Sequence, residues 1–552
     1  MSLARYGLLL VPLTFLATFF FYPLGSILTV SLTRSGSLDL SGFVDVATSA
    51  YFWETLWFTV WQATVSTILT LALAMPGAYV FVRYRFPGKG LLLSLSTLPF
   101  VLPTVVVAAA FTALLGNNGM VNNALVDLLQ LENAPVQLER SLTMIFIAHV
   151  FYNYAVALRM IAGYWANQSP RVEEAAQALG AHGWRLWWEI RLPVIRPAIT
   201  AAAILVYIFT FTSFGVILIL GGVEYATLEV EIYRQVTALF NLPTAAALSL
   251  VQIGVMVIMM AVYTRLQRNN ASTTPQATTT IARTPQTNAG RILITGHLIT
   301  VALLIFAPLL ALVITSITGP EGFTFSAYTQ LGETSRRSIL FSPPLAAVSN
   351  SLTHALSATI LAVALGILAA YLLTTPRSPL TALLDPMFML PLATSAVTLG
   401  FGFIIALDEP PLNLRTSPLL IPLAHTLIAL PFVVRSVLPA LRSIPDDLRE
   451  AAATLGATPL ATLQHIDIPL LSRGIVVGAT FAFTVSMGEF GATVFIARPD
   501  APTMPVVIFR LLGQPGLANY GQAMAMSTIL IAVCGTAFIL IERLRTAGVG
   551  EF

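Results

Sequence analysis

Residues 173–181 read EEAAQALGA and residues 449–457 read REAAATLGA. The two stretches lie 276 positions apart in a chain of 552, so the sequence repeats itself at half its own length. At that offset Ala148-His149 pairs with Ala424-His425, Arg159 with Arg435, Pro193 with Pro469, Phe214-Gly215 with Phe490-Gly491, and Ile232 and Arg234 with Ile508 and Arg510. Further upstream the offset becomes 292, pairing Leu98-Pro99 with Leu390-Pro391 and Ala78-Tyr79 with Ala370-Tyr371. The difference of 16 residues is a longer external loop in the first half. A repeat this long means that one structural unit is written twice.

Each copy of the loop predicts the same local shape. In the first, Pro170 suits the opening turn of a helix, Glu174-Ala175-Ala176 is strongly helix-forming, and Gly180 suits a left-handed C-terminal cap; a second short helix then runs to Leu192-Pro193. The second copy has Pro445, Glu450-Ala451-Ala452, Gly456 and Ile468-Pro469, with Asp446 and Asp447 placed to complement the positive end of its helix.

The surroundings of these loops are lipid-like. Hydrophobic residues make up 56% of the chain and charged residues 10%, with a mean hydropathy of +0.82. A soluble protein carries about a quarter charged residues, so a soluble enzyme is excluded. Net charge is only +3 and Lys89 is the sole lysine, which leaves no basic patch for nucleic acid. The single cysteine, Cys534, forms no internal disulfide and no cysteine-based metal site, and no metal site is expected elsewhere. Apolar runs long enough to cross a bilayer fall near 7–32, 53–82, 91–115, 141–165, 197–222 and 244–264, then near 292–317, 348–374, 383–407, 418–441, 474–497 and 521–541. The first is read as a retained span and not as a cleaved signal peptide.

With the N-terminus inside, 20 of the 28 basic residues fall on the cytoplasmic side and 14 of the 25 acidic residues in external loops. The expected fold is therefore all-α and integral to the membrane, about twelve transmembrane helices in two parallel six-helix repeats related by an axis along the membrane normal, with both termini cytoplasmic. Residues 1–265 form the first half, 291–552 the second, and 266–290 (QRNNASTTPQATTTIARTPQTNAGR) a flexible cytoplasmic linker. Its Asn270-Ala271-Ser272 triplet fits a glycosylation acceptor, but a cytoplasmic segment gives it no such role.

The duplicated loop resembles the EAA loop of the permease subunits of bacterial ABC importers, in which an EAA triplet is followed by a glycine six residues after its Glu and by a downstream Ile/Leu-Pro. The resemblance implies that Glu174, Ala175, Ala176, Gly180 and Pro193, with Glu450, Ala451, Ala452, Gly456 and Pro469, form two coupling helices seated on separate ATPase subunits. It extends over most of the chain. Two fused six-span halves are similar to the thiamine and ferric-iron permeases. Leu220-Gly221-Gly222, the run Ala226-Thr227-Leu228-Glu229-Val230-Glu231-Ile232-Tyr233, Met487-Gly488-Glu489-Phe490-Gly491, Trp61-Gln62-Ala63 and Arg85-Phe86-Pro87-Gly88 resemble the thiamine permease most. Implied partners are two copies of a cytoplasmic ATPase, which bind ATP and Mg, an external solute-binding protein, the lipid bilayer and a small solute, with thiamine ranked ahead of ferric iron. The implied location is the bacterial inner membrane. A phosphate-cradling loop needs G-x-x-x-x-G-K-[ST], and the one lysine sits in Phe86-Pro87-Gly88-Lys89-Gly90, so ATP hydrolysis is assigned to the partner subunits and not to this chain.

Glu489 falls well inside span 11 and has Ser213 as its counterpart. A charge at that depth costs about 2.5–3.5 kcal/mol, so it faces a cavity or a partner. Two roles are open: lining a cation path with Ser213, Phe214 and Phe490, or locking spans together through a hydrogen-bonded carboxyl. His149 and His425 occupy equivalent places, and packing through hydrogen bonds is expected of both. Segments after spans 5 and 11, including Gly221-Gly222, are candidates for an external gate. The rival architecture, a major-facilitator carrier, also has twelve spans in parallel halves. It would normally carry several buried ionisable groups, where these spans show one convincing acid, and it has no use for paired coupling loops.

Overall fold

The structure is a computed structural model and describes residues 3–34, 37–222, 224–270, 284–285, 287–319, 322–333, 340–374, 379–408 and 410–546. It is helical almost throughout, the strands among the described residues being two short hairpins at Thr33–Arg34 with Ser37–Leu38 and Thr318–Gly319 with Gly322–Phe323. Among the described residues eleven helices are long and apolar enough to cross a bilayer, twelve when the bent pair Leu384–Leu392 and Ala396–Ala406 is counted as one span. The all-α, twelve-span reading therefore holds.

The halves differ from the hydropathy reading where helices break or merge. The expected third span opens instead as Lys89–Leu95 and Leu98–Val101, stops at Leu102-Pro103, and resumes as Thr104–Leu115. Its repeat stops at Thr394-Ser395 and turns through 98°. Proline has no N–H to give and restricts the residue before it, so Pro99 and Pro103 interrupt the first copy. In the second, Ser395 caps the new helix, its Oγ accepting from the amides of Val397 and Thr398.

The fifth span starts earlier than expected. Gly183–Leu186 passes through a π-helical turn, Trp187–Arg191, straight into Leu192–Phe211, and the second half repeats this with Pro459–Thr462, Leu463–Asp467 and Ile468–Gly488. Pro193 and Pro469 sit in the first turn of the following segment, where a missing N–H costs little, so the short helix after the glycine is continuous with the span.

Of the expected linker, residues 266–270 extend the helix Leu242–Asn270 and 288–290 open Asn288–Ser316. Residues 271–283 and 286, the triplet's Ala271 and Ser272 among them, lie outside the described residues.

The first span of each half packs on its own half's last span and also reaches across to the other half. Leu10–Leu32 packs against Ala346–Thr374 and Ala396–Ala406 of the second half, with Pro23 and Ile27 close on Gly402. Asn288–Ser316 packs against Thr104–Leu115 of the first, and His297 reaches across to Tyr154, its Nε2 lying 2.8 Å from the hydroxyl. One continuous apolar core, holding Phe20, Phe111, Phe211, Phe401 and Val433, therefore spans both halves.

Candidate translocation path and coupling loops

Four broken spans converge between the halves. The fifth span ends at Phe211 and its residues Thr212–Phe214 leave the helix before Gly215–Leu220 begins; the eleventh ends at Gly488, and Glu489–Ala492 lead into Thr493–Ile496. Irregular backbone at membrane depth is tolerated where it lines a cavity or is packed in protein. Here a cavity of about 350 Å³ lies against these breaks, lined from the first half by Phe100, Pro103, Tyr152 and Ser213 and from the second by Phe481 and Glu489. Gly215 permits the close approach, since a Cβ there would stand 2.3 Å from Thr104 Oγ1, and the equivalent Gly491 would meet Ala396 Cβ at 2.9 Å.

Phe214 and Phe490, paired by the repeat, stack on each other with centroids 5.6 Å apart. Tyr233 packs on Phe214 and Phe509 on Phe490, at 5.4 and 5.2 Å, and these two are also repeat partners. The four rings form one symmetric cluster, Phe214 and Phe490 at the cavity and Tyr233 and Phe509 on the helices Leu228–Thr237 and Met504–Leu512. Gly221-Gly222, the candidate gate, lies elsewhere: it forms a turn, with Gly222 at φ +66° packed on the Arg140 side chain.

Glu489 borders the cavity, but its carboxylate points into its own loop. Oε1 accepts from the Ala492 amide at 2.7 Å, and Oε2 from the Thr493 amide at 2.9 Å and from the Thr493 hydroxyl. His425 Nε2 lies 3.4 Å from the same carboxylate and 2.8 Å from Thr493 Oγ1, and its Nδ1 is 2.6 Å from Ser486 Oγ. In the first half His149 sits between Ser66 and Ser213, both at 2.9 Å. Ser213 and Glu489 thus serve the same histidine position, and each histidine has both ring nitrogens engaged.

Two buried acids escaped the sequence reading. Glu229 and Glu231, counted there as external-loop residues, are fully buried on Leu228–Thr237. Glu229 accepts from Gln252 and, at 2.6 Å, from the hydroxyl of Ser395 across the half boundary. Glu231 accepts from the Tyr51 hydroxyl and from Gln235, both at 2.7 Å. The repeat carried the signal: at 276 residues on, the same positions are Pro505 and Val507 in an apolar helix, so this helix is buried in both halves. Gln62 supports the break as well, donating to the Thr210 carbonyl at 3.0 Å, while the Thr59 hydroxyl accepts from the Leu228 amide.

At the opposite end, Pro170–Ala178 and Asp446–Thr454 are the two short helices, bearing Glu174, Ala175 and Ala176 and Glu450, Ala451 and Ala452. Gly180 and Gly456 follow in left-handed conformation, φ +87° and +81°, with open space where a Cβ would be. Glycine is required there by backbone conformation and not by crowding. The same side chains stand out at both loops: Val172 and Leu448, Leu179 and Leu455, Trp184 and Leu460 are all exposed repeat partners.

The sequence profile of the binding-protein-dependent transport system inner membrane components matches residues 69–271 and 362–546, one copy in each half. The chain belongs to that family. As a member it is a multi-pass inner-membrane component of a transport system that works with a binding protein. It is similar to the thiamine transport system permease protein ThiP of Brucella suis biovar 1, 28% identical over 94% of this chain and 92% of that one. ThiP of Escherichia coli K12 is 26% identical over 91% of each chain. A probable ABC transporter permease protein, y4fN of Sinorhizobium fredii, is 25% identical over 96% of this chain and 94% of its own. Among solved structures, a bacterial alginate ABC transporter in complex with its alginate-bound periplasmic protein has a chain that matches 49% of this one and 95% of itself at 18% identity and a TM-score of 0.41.

Proposed function

We propose that the chain forms the translocation path of an ATP-driven importer of thiamine, receiving its solute from an external binding protein and docking two cytoplasmic ATPase subunits on its paired loops. The observation that carries this reading is the direct covalent run from each loop to the path: the helix after Gly180 continues through the fifth span to Phe211, three residues before Phe214, and the helix after Gly456 through the eleventh to Gly488, two residues before Phe490. ATP and Mg belong to the partner subunits, and this chain forms and breaks no covalent bond. Both termini are cytoplasmic in this reading. Closure of the ATPase pair moves the loops, and the energy of that docking shifts the balance between a path closed by the four rings and one open to the outside.

The choice of thiamine rests on the relatives named above and on cavity chemistry. Phe100, Tyr152, Phe481, Phe214 and Phe490 line the cavity with aromatic side chains, and aromatic rings attract an organic cation without pairing it to a fixed charge. Ferric iron calls for several oxygen ligands, and both oxygens of Glu489 are already committed to Ala492, Thr493 and His425. Cells carrying the chain with its ATPase and binding protein are expected to take up labelled thiamine, and not labelled ferric iron offered in parallel, relative to a strain lacking the chain. Uptake should stop on ATP depletion with the ion gradient maintained. Iron uptake alone would overturn the substrate, and uptake that survives ATP depletion would overturn the ATP-driven mechanism.

The loops make a second prediction. Valine at both Gly180 and Gly456 forces a β-branched residue into left-handed backbone, at about 1–2 kcal/mol each. Membrane insertion should be unchanged while thiamine imported per ATP hydrolysed drops; normal uptake by the double variant would remove the coupling assignment.

A further inference from the structure

Each coupling helix is tied to the base of its own span by a half-buried ion pair, and the polarity of the pair is reversed between the halves. In the first half Glu173, in the opening turn of Pro170–Ala178, is ion-paired with Arg191, the last residue of the π-helical turn, and with Arg83 at the end of the second span. In the second half Arg449, on Asp446–Thr454, donates from Nε to Asp467 Oδ1 at 3.0 Å, and Asp467 ends the second π-helical turn. The repeat aligns Glu173 with Arg449 and Arg191 with Asp467, so acid and base have exchanged places at identical positions.

A tyrosine serves both polarities. Tyr79 and its partner Tyr371 hold the same place on the second and eighth spans. Against the cation, the Tyr79 ring lies under the Arg191 guanidinium at 5.3 Å, with Trp187 at the same distance. Against the anion, the Tyr371 hydroxyl donates to Asp467 Oδ2 at 2.6 Å. A phenol offers an electron-rich face to a cation and an O–H to a carboxylate, which lets one residue type support either arrangement. The acid of each pair is largely buried, Glu173 at 13% and Asp467 at 7% side-chain exposure, so removing one partner leaves a poorly solvated charge behind.

We infer that Glu173–Arg191 and Arg449–Asp467 are positioning pairs that make each coupling helix and the base of its path-lining span move as one body, whichever partner carries which charge. The inference rests on the importer reading above and names the joint through which that reading's motion passes. It applies to the pairs themselves and not to the exposed contact of Arg449 with Asp446, a partner at 3.4 Å that is largely in solvent.

The test uses the full chain reconstituted in lipid with its ATPase subunits and binding protein, with labelled thiamine as probe. Arg449→Glu and Asp467→Arg each create a like-charge clash; together they rebuild in the second half the polarity that the first half already displays, beside the same tyrosine. Thiamine imported per ATP hydrolysed should fall about tenfold in each single variant and return to near the wild-type ratio in the double variant, with ATPase subunits still co-purifying. A wild-type ratio in the singles, or a double variant no better than the worse single, overturns the inference. Asp467→Asn keeps the shape and removes the charge, so it covers the case in which a clash blocks folding: a wild-type ratio in that variant also overturns the inference. Should the wild-type complex import no thiamine, the substrate reading falls, and the pairs are judged instead on stimulation of ATP hydrolysis by the binding protein, lost in the singles and regained in the double.

Discussion

Aspartate in place of both Leu179 and Leu455 is expected to strip the ATPase subunits from the complex while leaving the membrane protein itself folded. Each leucine stands just before the left-handed glycine of its loop and is 89% exposed, although it is among the most apolar of side chains. An isolated exposed leucine needs no explanation, but the same leucine at the same repeat position, flanked in both copies by further exposed apolar residues, marks a surface that a partner covers. Burying a leucine side chain yields about 1.5–3 kcal/mol, and an aspartate at the same point adds the cost of desolvating a charge. Two seats lost together then weaken the assembly by roughly 10²–10³-fold or more. The measurement is co-purification of the ATPase subunits with the tagged chain, alongside its abundance in membranes. Undiminished co-purification would mean that the ATPase docks elsewhere.

Glu489→Ala is expected to lower the amount of folded chain, with transport falling in proportion. The carboxylate accepts from two backbone amides and a hydroxyl, and it stands beside His425 on a largely buried residue. Removing it orphans those donors at once, and breaking a buried charged network of this kind costs about 3–5 kcal/mol. The checks are membrane abundance, thermal unfolding of the purified chain in detergent, and thiamine uptake normalised to folded protein. Glu489→Gln separates the two roles left open by the sequence. It keeps the shape and part of the hydrogen bonding, so in the architectural role it behaves as a milder form of the alanine variant. A glutamine variant that folds at the wild-type level and yet moves no thiamine would place the carboxylate's charge in the path itself.

The parts of this fold that were legible in the sequence are those the repeat writes twice. The register of 276 residues located both loops, their left-handed glycines and the ring pair Phe214 and Phe490 without any structure. Hydropathy counted the spans but did not see inside them, because a helix broken at Leu102-Pro103 and a continuous one have the same apolar content. The same blindness left Glu229 and Glu231 between two apolar runs and so among the external-loop acids, where their apolar counterparts in the other half describe the environment better. The exchange of first spans was illegible for a different reason. Lipid tails and protein interiors are equally apolar, so an intramembrane helix carries little trace in its composition of which half it will pack against.

That exchange governs the order in which the chain is assembled. Leu10–Leu32 is made first, yet of the helices that cover it Ala346–Thr374 and Ala396–Ala406 emerge more than 300 residues later. At about 5–20 residues per second this helix waits on the order of 15–60 seconds with one flank against lipid alone. The N-terminal half is therefore not a finished unit when its own last span is complete, and a ribosome that stalls between the halves releases an open intermediate and not a stable half-transporter. Cutting the connection between residues 270 and 288 after synthesis is a different matter, since the crossed helices by then hold the halves together like clasped hands.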